Sequence, residues 1–158
     1  MQLTYSSGTV EEALTVYAST PEFDRVMTQE AFLTKLSCKR HLILIAKDGG
    51  QCIGFKVGYE NSRYEFYSWL GSVLPTYRGH GIAAKLRDMQ EQWALAQGYS
   101  SIRVKSCNRY PAMLHLLIRS GYQIVGYEDL GDITHNKIHF IKALTALKTD
   151  QALASTRQ

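Results

Sequence analysis

The feature that most limits what this chain can fold into is a change of period around residue 75. Before it, apolar residues come in strand-length runs: His41 to Lys47, Cys52 to Glu60, then Tyr64 to Leu74. After it, Ile82, Leu86, Met89 and Trp93 recur at helical spacing, up to Gly98 where a helix C-cap belongs. Between the two lies Pro75, which stops the third strand, and then Arg78-Gly79-His80-Gly81-Ile82-Ala83-Ala84. A strand that passes through two glycines into a helix of small residues presents the free N–H groups and positive end of that helix. Glycine at 79 and 81 lets an anion approach the backbone, so the junction predicts a phosphate or pyrophosphate site. The plainer alternative is a tight strand-to-helix turn.

The rest of the chain extends this pattern. Gln2 to Tyr5 predicts a short strand, and Val10 to Tyr17 a helix with Glu11 and Glu12 in its first turn. Thr28 predicts the N-cap of a helix running to Leu36. The three strand runs, joined at Asp48-Gly49-Gly50 and Asn61-Ser62, predict an antiparallel meander. Beyond Gly98 come a strand over Ile102 to Ser106 and a helix with Met113, Leu114, Leu117 and Ile118 on one side. That helix ends at Gly121, and strands over Gln123–Asp129 and Ile138–Leu144 follow. The order β-α-α-β-β-β-α-β-α-β-β implies an α/β class domain: a mixed (α+β) sheet, helices on both faces, and a parallel β-α-β crossover in the middle.

The 158 residues, 45% of them apolar, suffice for one core. No repeat or linker divides them, so residues 1–147 are expected to form one domain followed by a polar tail, 148–158. The longest apolar run, Leu42 to Ala46, is far short of the ~20 residues a spanning helix needs. The N-terminus carries no secretory pattern, and Cys38, Cys52 and Cys107 are scattered. Together these predict a cytoplasmic chain with reduced thiols, no membrane partner and no metal. The net charge of +4 is uneven: Gln92 to Tyr127 contains Arg103, Lys105, Arg109 and Arg119 but no acid, which favours an anionic ligand nearby. A nucleic-acid partner is not expected, because no recognition motif or basic-aromatic stripe is present.

Gly79-x-Gly81-x-x-Ala84 formally matches a dinucleotide fingerprint. That motif needs an acid about twenty residues on, where this chain reads Ile102-Arg-Val-Lys-Ser106. Three antiparallel strands before the loop also argue against it. Arg78-Gly79-His80-Gly81-Ile82-Ala83, preceded by Val73-x-Pro75, resembles instead the Gln/Arg-x-x-Gly-x-Gly/Ala signature of the GNAT superfamily of acyl-CoA-dependent N-acyltransferases. Asn108 and Gly121-Tyr122 stand at further family landmarks, and the element order agrees over roughly residues 1 to 145.

The resemblance implies a central six- to seven-stranded, mostly antiparallel sheet whose fourth and fifth strands splay apart. It implies acetyl-CoA as co-substrate, with no metal, and a primary amine of unknown identity as acceptor, on a small molecule or a protein. The backbone at Gly71, Ser72 and Val73 would bond the pantetheine arm, and the amides of Arg78, Gly79, His80, Gly81, Ile82, Ala83 and Ala84 the pyrophosphate. Asn108 would bind the pantetheine side. Read by themselves, Val73 is equally a core residue and Asn108 a helix cap before Pro111. Glu65 stands where some members carry a general base. Many members place a thiol-protonating Tyr where this chain has Leu117, and Tyr110, seven residues earlier, is the substitute. A catalytically weak acyl-CoA-binding sensor is the rival reading, and a homodimer is left open.

Overall fold

The computed structural model describes residues 1–145. The polar tail expected after residue 147 lies outside the described residues. The chain runs β1 (Leu3–Ser7), α1 (Val10–Ala18), α2 (Gln29–Leu36), β2 (His41–Asp48), β3 (Gln51–Glu60) and β4 (Glu65–Val73). A 3-10 turn (Pro75–Tyr77) leads to α3 (Ile82–Ala96), β5 (Ser101–Cys107), α4 (Pro111–Arg119), β6 (Gln123–Glu128) and β7 (Lys137–Ala143). The strands form one seven-stranded sheet in the order β1-β2-β3-β4-β5-β7-β6. Every pair is antiparallel except β4 with β5.

Local chemistry sets the boundaries. Thr9 and Glu12 close a reciprocal capping box at the start of α1, and the Thr28 hydroxyl accepts from the Ala31 amide at 3.0 Å. Gly49 (φ 57°) and Gly50 (φ 100°) make the β2–β3 turn in a region other residues avoid. One apolar layer packs α1 and α2 on one face of the sheet through Ala13, Val16, Phe32, Ile45, Phe55 and Val57. On the other face α3 buries Ile82, Leu86 and Ala94 against Phe66, Ile102 and Phe140. The α3 stripe also takes in Gln90, which is buried with no hydrogen-bond partner for its amide, while Met89 and Trp93 flank it half-buried. In α4 only Leu117 is buried. Met113 and Ile118, expected on the packed side, are 42% and 54% exposed. The helix is short and lies over the thin end of the sheet, so one turn of apolar residues finds nothing to cover it.

Helices α1 and α2 reach only as far as β4. The same face of β5, β7 and β6 is left bare, and this asymmetry positions the site.

Candidate active site

Strand β4 has nine residues, but only Glu65 to Ser68 pair with β5, at Ser101 to Val104. Past Ser68 and Val104 the two strands part. A bulge lies at the parting point: Gly58 opposes Ser68 and Val57 opposes Leu70, so Trp69 is the extra residue. A bulge bends and twists its strand, here in the residues where β4 leaves β5. Leu74 donates to the Ile53 carbonyl on β3 at 2.9 Å. Successive peptide groups point to opposite edges, so the N–H and C=O of Gly71 and Val73 face the gap and those of Ser72 face β3. The Ser72 hydroxyl meets the Thr20 hydroxyl at 2.7 Å. The Val73 side chain is in the core, and its backbone faces the gap.

The gap leads into the Arg78–Gly81 loop. Gly79 and Gly81 have φ of 82° and 76°, and a Cβ at either would meet only open space. Their conformation needs glycine, and the absence of a side chain keeps the approach clear. Gly81 is the N-cap of α3 with no side chain capping it, and the first amide bonded back to it is Lys85, at 3.0 Å. The Ile82, Ala83 and Ala84 amides therefore have no partner within the helix. A strand edge open to the gap, its Val73 carbonyl held by Arg78, runs into uncapped amides and fits a ligand that is extended, amide-bearing and anionic at one end. His80 lies on the loop surface, its Nδ1 3.1 Å from the Arg78 carbonyl. The Arg78 guanidinium does not face this cradle. It donates to the Val73 carbonyl at 2.9 Å and pairs with Glu22 at 2.6 Å, tying the end of β4 to the α1–α2 loop.

The same loop reaches the far side of the gap. The Tyr110 hydroxyl donates to the Glu22 carbonyl at 3.3 Å, and Arg109 pairs with Asp24 at 3.4 Å. Tyr110 is the N-cap of α4 rather than part of the helix, so its reach follows the β5–α4 turn and not the helical face shared with Leu117. Asn108 does not cap α4. Its Nδ2 donates to the Ile133 carbonyl at 2.9 Å, which anchors this turn to the β6–β7 loop. His115 is exposed, and Cys107 is half-buried with a free thiol.

Glu65 lies away from the cradle and on the bare face, where β4 still pairs with β5, three residues before the strands part. It lines an open cavity of about 340 Å³ with Tyr59, Asn61, Tyr67, Arg103, Lys105 and His139. Its Oε2 accepts from Asn61 Nδ2 and from Arg103 Nε, the latter at 3.1 Å. Arg103 Nη1 lies 3.3 Å from His139 Nδ1, and His139 Nε2 lies 2.9 Å from Glu128 Oε2. A guanidinium only donates, so His139 Nδ1 accepts from Arg103 and its Nε2–H donates to Glu128. The hydrogen bond from His139 holds the Glu128 carboxyl below its ordinary range. Burial first, then the neighbouring Tyr59 and Glu128, push the Tyr67 hydroxyl up to about 12, so it stays neutral.

Sequence reasoning placed Arg103 and Lys105 in an acid-free segment but did not join them to Glu65. The available signal was period two on β5, which puts both on one face, with His139 opposite Lys105 in register. Glu22 carried no such signal. Among the described residues no three His, Cys, Asp or Glu side chains gather to hold a metal, and no helix is long and apolar enough to cross a membrane.

Comparison with known proteins bears on the fold. Ard1 from Thermoplasma volcanium superposes with a TM-score of 0.79 at 17% identity, covering 92% of this chain and 99% of that one. The ribosomal-protein-S18-alanine N-acetyltransferase from Escherichia coli gives 0.79 at 13% identity, with 94% and 98% covered. A GNAT family acetyltransferase from Elizabethkingia anophelis with acetyl-CoA bound gives 0.71 at 16% identity, with 90% and 99% covered. At such identities these structures share the fold. No curated protein matches the sequence. Residues 10–122 match the Acetyltransferase (GNAT) family, and the chain belongs to that family.

Proposed function

We propose that this protein transfers an acetyl group from acetyl-CoA to a primary amine by direct transfer, with both substrates bound at once. One observation carries the reading: the gap-facing edge of β4 at Gly71 and Val73 runs directly into the uncapped amides of the Arg78–Ala84 loop. Acetyl-CoA supplies a thioester acyl group and a thiol as leaving group. The amides from Arg78 to Ala84 hold its pyrophosphate, and Gly71 and Val73 bond its pantetheine amides in the manner of a strand. Asn108 flanks the opposite side of the gap.

An alkylamine with an ordinary pKa of ~10.4 arrives protonated at neutral pH and must lose a proton to react. Glu65 is the base in this reading. Its Oε2 is engaged by Asn61 and Arg103, which orients the carboxylate and leaves Oε1 without a hydrogen bond among the described residues. Tyr110 returns a proton to the sulfur, its hydroxyl exchanging the Glu22 carbonyl for that partner. A cytoplasmic location belongs to the same reading. Leu117, 3% exposed at the usual acid position, favours a second one, an acyl-CoA sensor with little turnover.

Calorimetric titration with acetyl-CoA, with NADH as control, tests the donor site, and thiol release across an amine panel tests the reaction. Acetyl-CoA binding, no NADH binding and steady thiol release are expected. Binding without turnover supports the sensor, and no binding overturns both readings.

A further inference from the structure

The cavity beside the gap is built around a cation whose purpose the transfer reaction does not explain. Arg103 is gripped from two sides, by Glu65 at Nε and by the His139–Glu128 pair at Nη1. A guanidinium has five N–H donors in a fixed fork. With Nε and Nη1 engaged, Nη2 has no partner among the described residues, and the residue lines the cavity. Lys105 follows two residues on, on the same face. It is the first β5 residue beyond the last pair with β4, so it stands where the gap begins. Its ammonium lies 5.8 Å from the Tyr67 ring centroid, and among the described residues it makes no hydrogen bond or ion pair. Of the charged residues lining the cavity, Glu65 is the single acid, and its Oε2 is given to Arg103. Glu128, behind His139, is given to the imidazole.

We infer that the acceptor is a small amine that also carries a carboxylate a few bonds from its nitrogen. This inference rests on the acetyltransferase reading and names its substrate class. The carboxylate pairs with Arg103 Nη2 and Lys105 Nζ, and the amine points toward the start of the gap at Ser68 and Val104, its proton reaching Glu65 through water. The two cations disfavour a second positive charge in the cavity, so a polyamine is a poor acceptor. The neutral phenols of Tyr59 and Tyr67 wall the cavity without adding charge. In the transfer the acceptor nitrogen forms a bond to the acetyl carbon as the carbon–sulfur bond breaks. Glu65 passes the ammonium proton to water before attack, Tyr110 gives its proton to the sulfur, which departs as the thiol of CoA, and the second proton shed by the nitrogen restores Tyr110 through water.

The test uses the full chain. Acetyl-CoA binding is measured first by calorimetry. Thiol release then gives kcat/KM for glycine, β-alanine, aspartate and glutamate, each beside the corresponding carboxamide, with spermidine and a short peptide with a neutral N-terminal residue as further acceptors. Comparing the acid-to-amide ratio between the wild type and Lys105→Gln cancels the intrinsic reactivity of each amine. At least one acid is expected to be used, and the ratio is expected to fall about tenfold in the variant, the scale of one charge-assisted hydrogen bond. Arg103→Lys, which keeps the charge and loses the fork, is expected to lower the ratio as well. A ratio unmoved in Lys105→Gln overturns the inference, as does a preference for spermidine or for the peptide. So does acetyl-CoA binding without turnover of any acid. Failure of acetyl-CoA to bind brings down the acetyltransferase reading itself, and calorimetry separates that outcome from the others.

Discussion

Gly81 is where the proposed phosphate site and the fold make separable demands on one residue. Its backbone sits at φ 76°, ψ 10°, the left-handed region, and a Cβ there would meet nothing within 4 Å. In Gly81→Ala the folded protein suffers no clash, only the left-handed strain of roughly 1–2 kcal/mol. For a domain of this size each kcal/mol shifts Tm by roughly 2–4 °C, so a fall of roughly 2–8 °C is expected. Gly81→Asn enters the left-handed region with less strain, and its Tm should stay within about 2 °C of wild type. Both side chains project into the open approach to the Ile82, Ala83 and Ala84 amides. Displacing one charge-assisted hydrogen bond costs about 1.5–3 kcal/mol, which is at least tenfold in affinity. Thermal unfolding followed by circular dichroism gives the first quantity and calorimetry with acetyl-CoA the second. If the Asn variant keeps both its Tm and its acetyl-CoA affinity, the loop is a glycine turn and no anion cradle.

Two further expectations concern stability. Phe66 is fully buried and packs at 5.3 Å centroid separation against both Trp93 and Tyr99. Phe66→Ala should cost about 3–5 kcal/mol in urea unfolding, and a loss below about 1 kcal/mol would show that this layer does not hold α3 to the sheet. In the β6–β7 loop, the hydroxyl of Thr134 first, then His135 and the Thr134 amide, draw the Asp132 carboxyl down to about 2. A depressed carboxyl lends stability that is present above its ordinary pKa of about 3.8 and is lost as pH falls toward 2. Asp132→Asn should therefore flatten the dependence of Tm on pH between about 4 and 2, and an unchanged slope there would refute the assignment.

Much of this architecture was legible before any coordinate. Local rules determine the capped start of α2 at Thr28, the glycine turn at 49–50 and the strand that stops at Pro75, because each depends on backbone preferences within a few residues. The strand-loop-helix junction at Arg78–Ala84 is legible for the same reason. The anion-binding chemistry proposed for it resides in two positive φ angles and a helix N-terminus, and both are written in glycine and alanine.

The remainder depended on which distant segments meet. The Asn108 side chain goes to Ile133 and not to α4, and Arg78 turns from the cradle to Glu22, because the β6–β7 and α1–α2 loops arrive beside them only in the folded chain. The helical spacing of Met113 and Ile118 promised burial, but α4 lies over too little sheet to give it. Above all, the cavity exists because helices α1 and α2 stop at β4. That leaves Glu65, Arg103, Lys105 and His139, drawn from three strands, on one uncovered face. Periodicity tells which face of a strand a residue takes. Only packing decides whether that face is covered, and the charges gathered there stay accessible because it is left open.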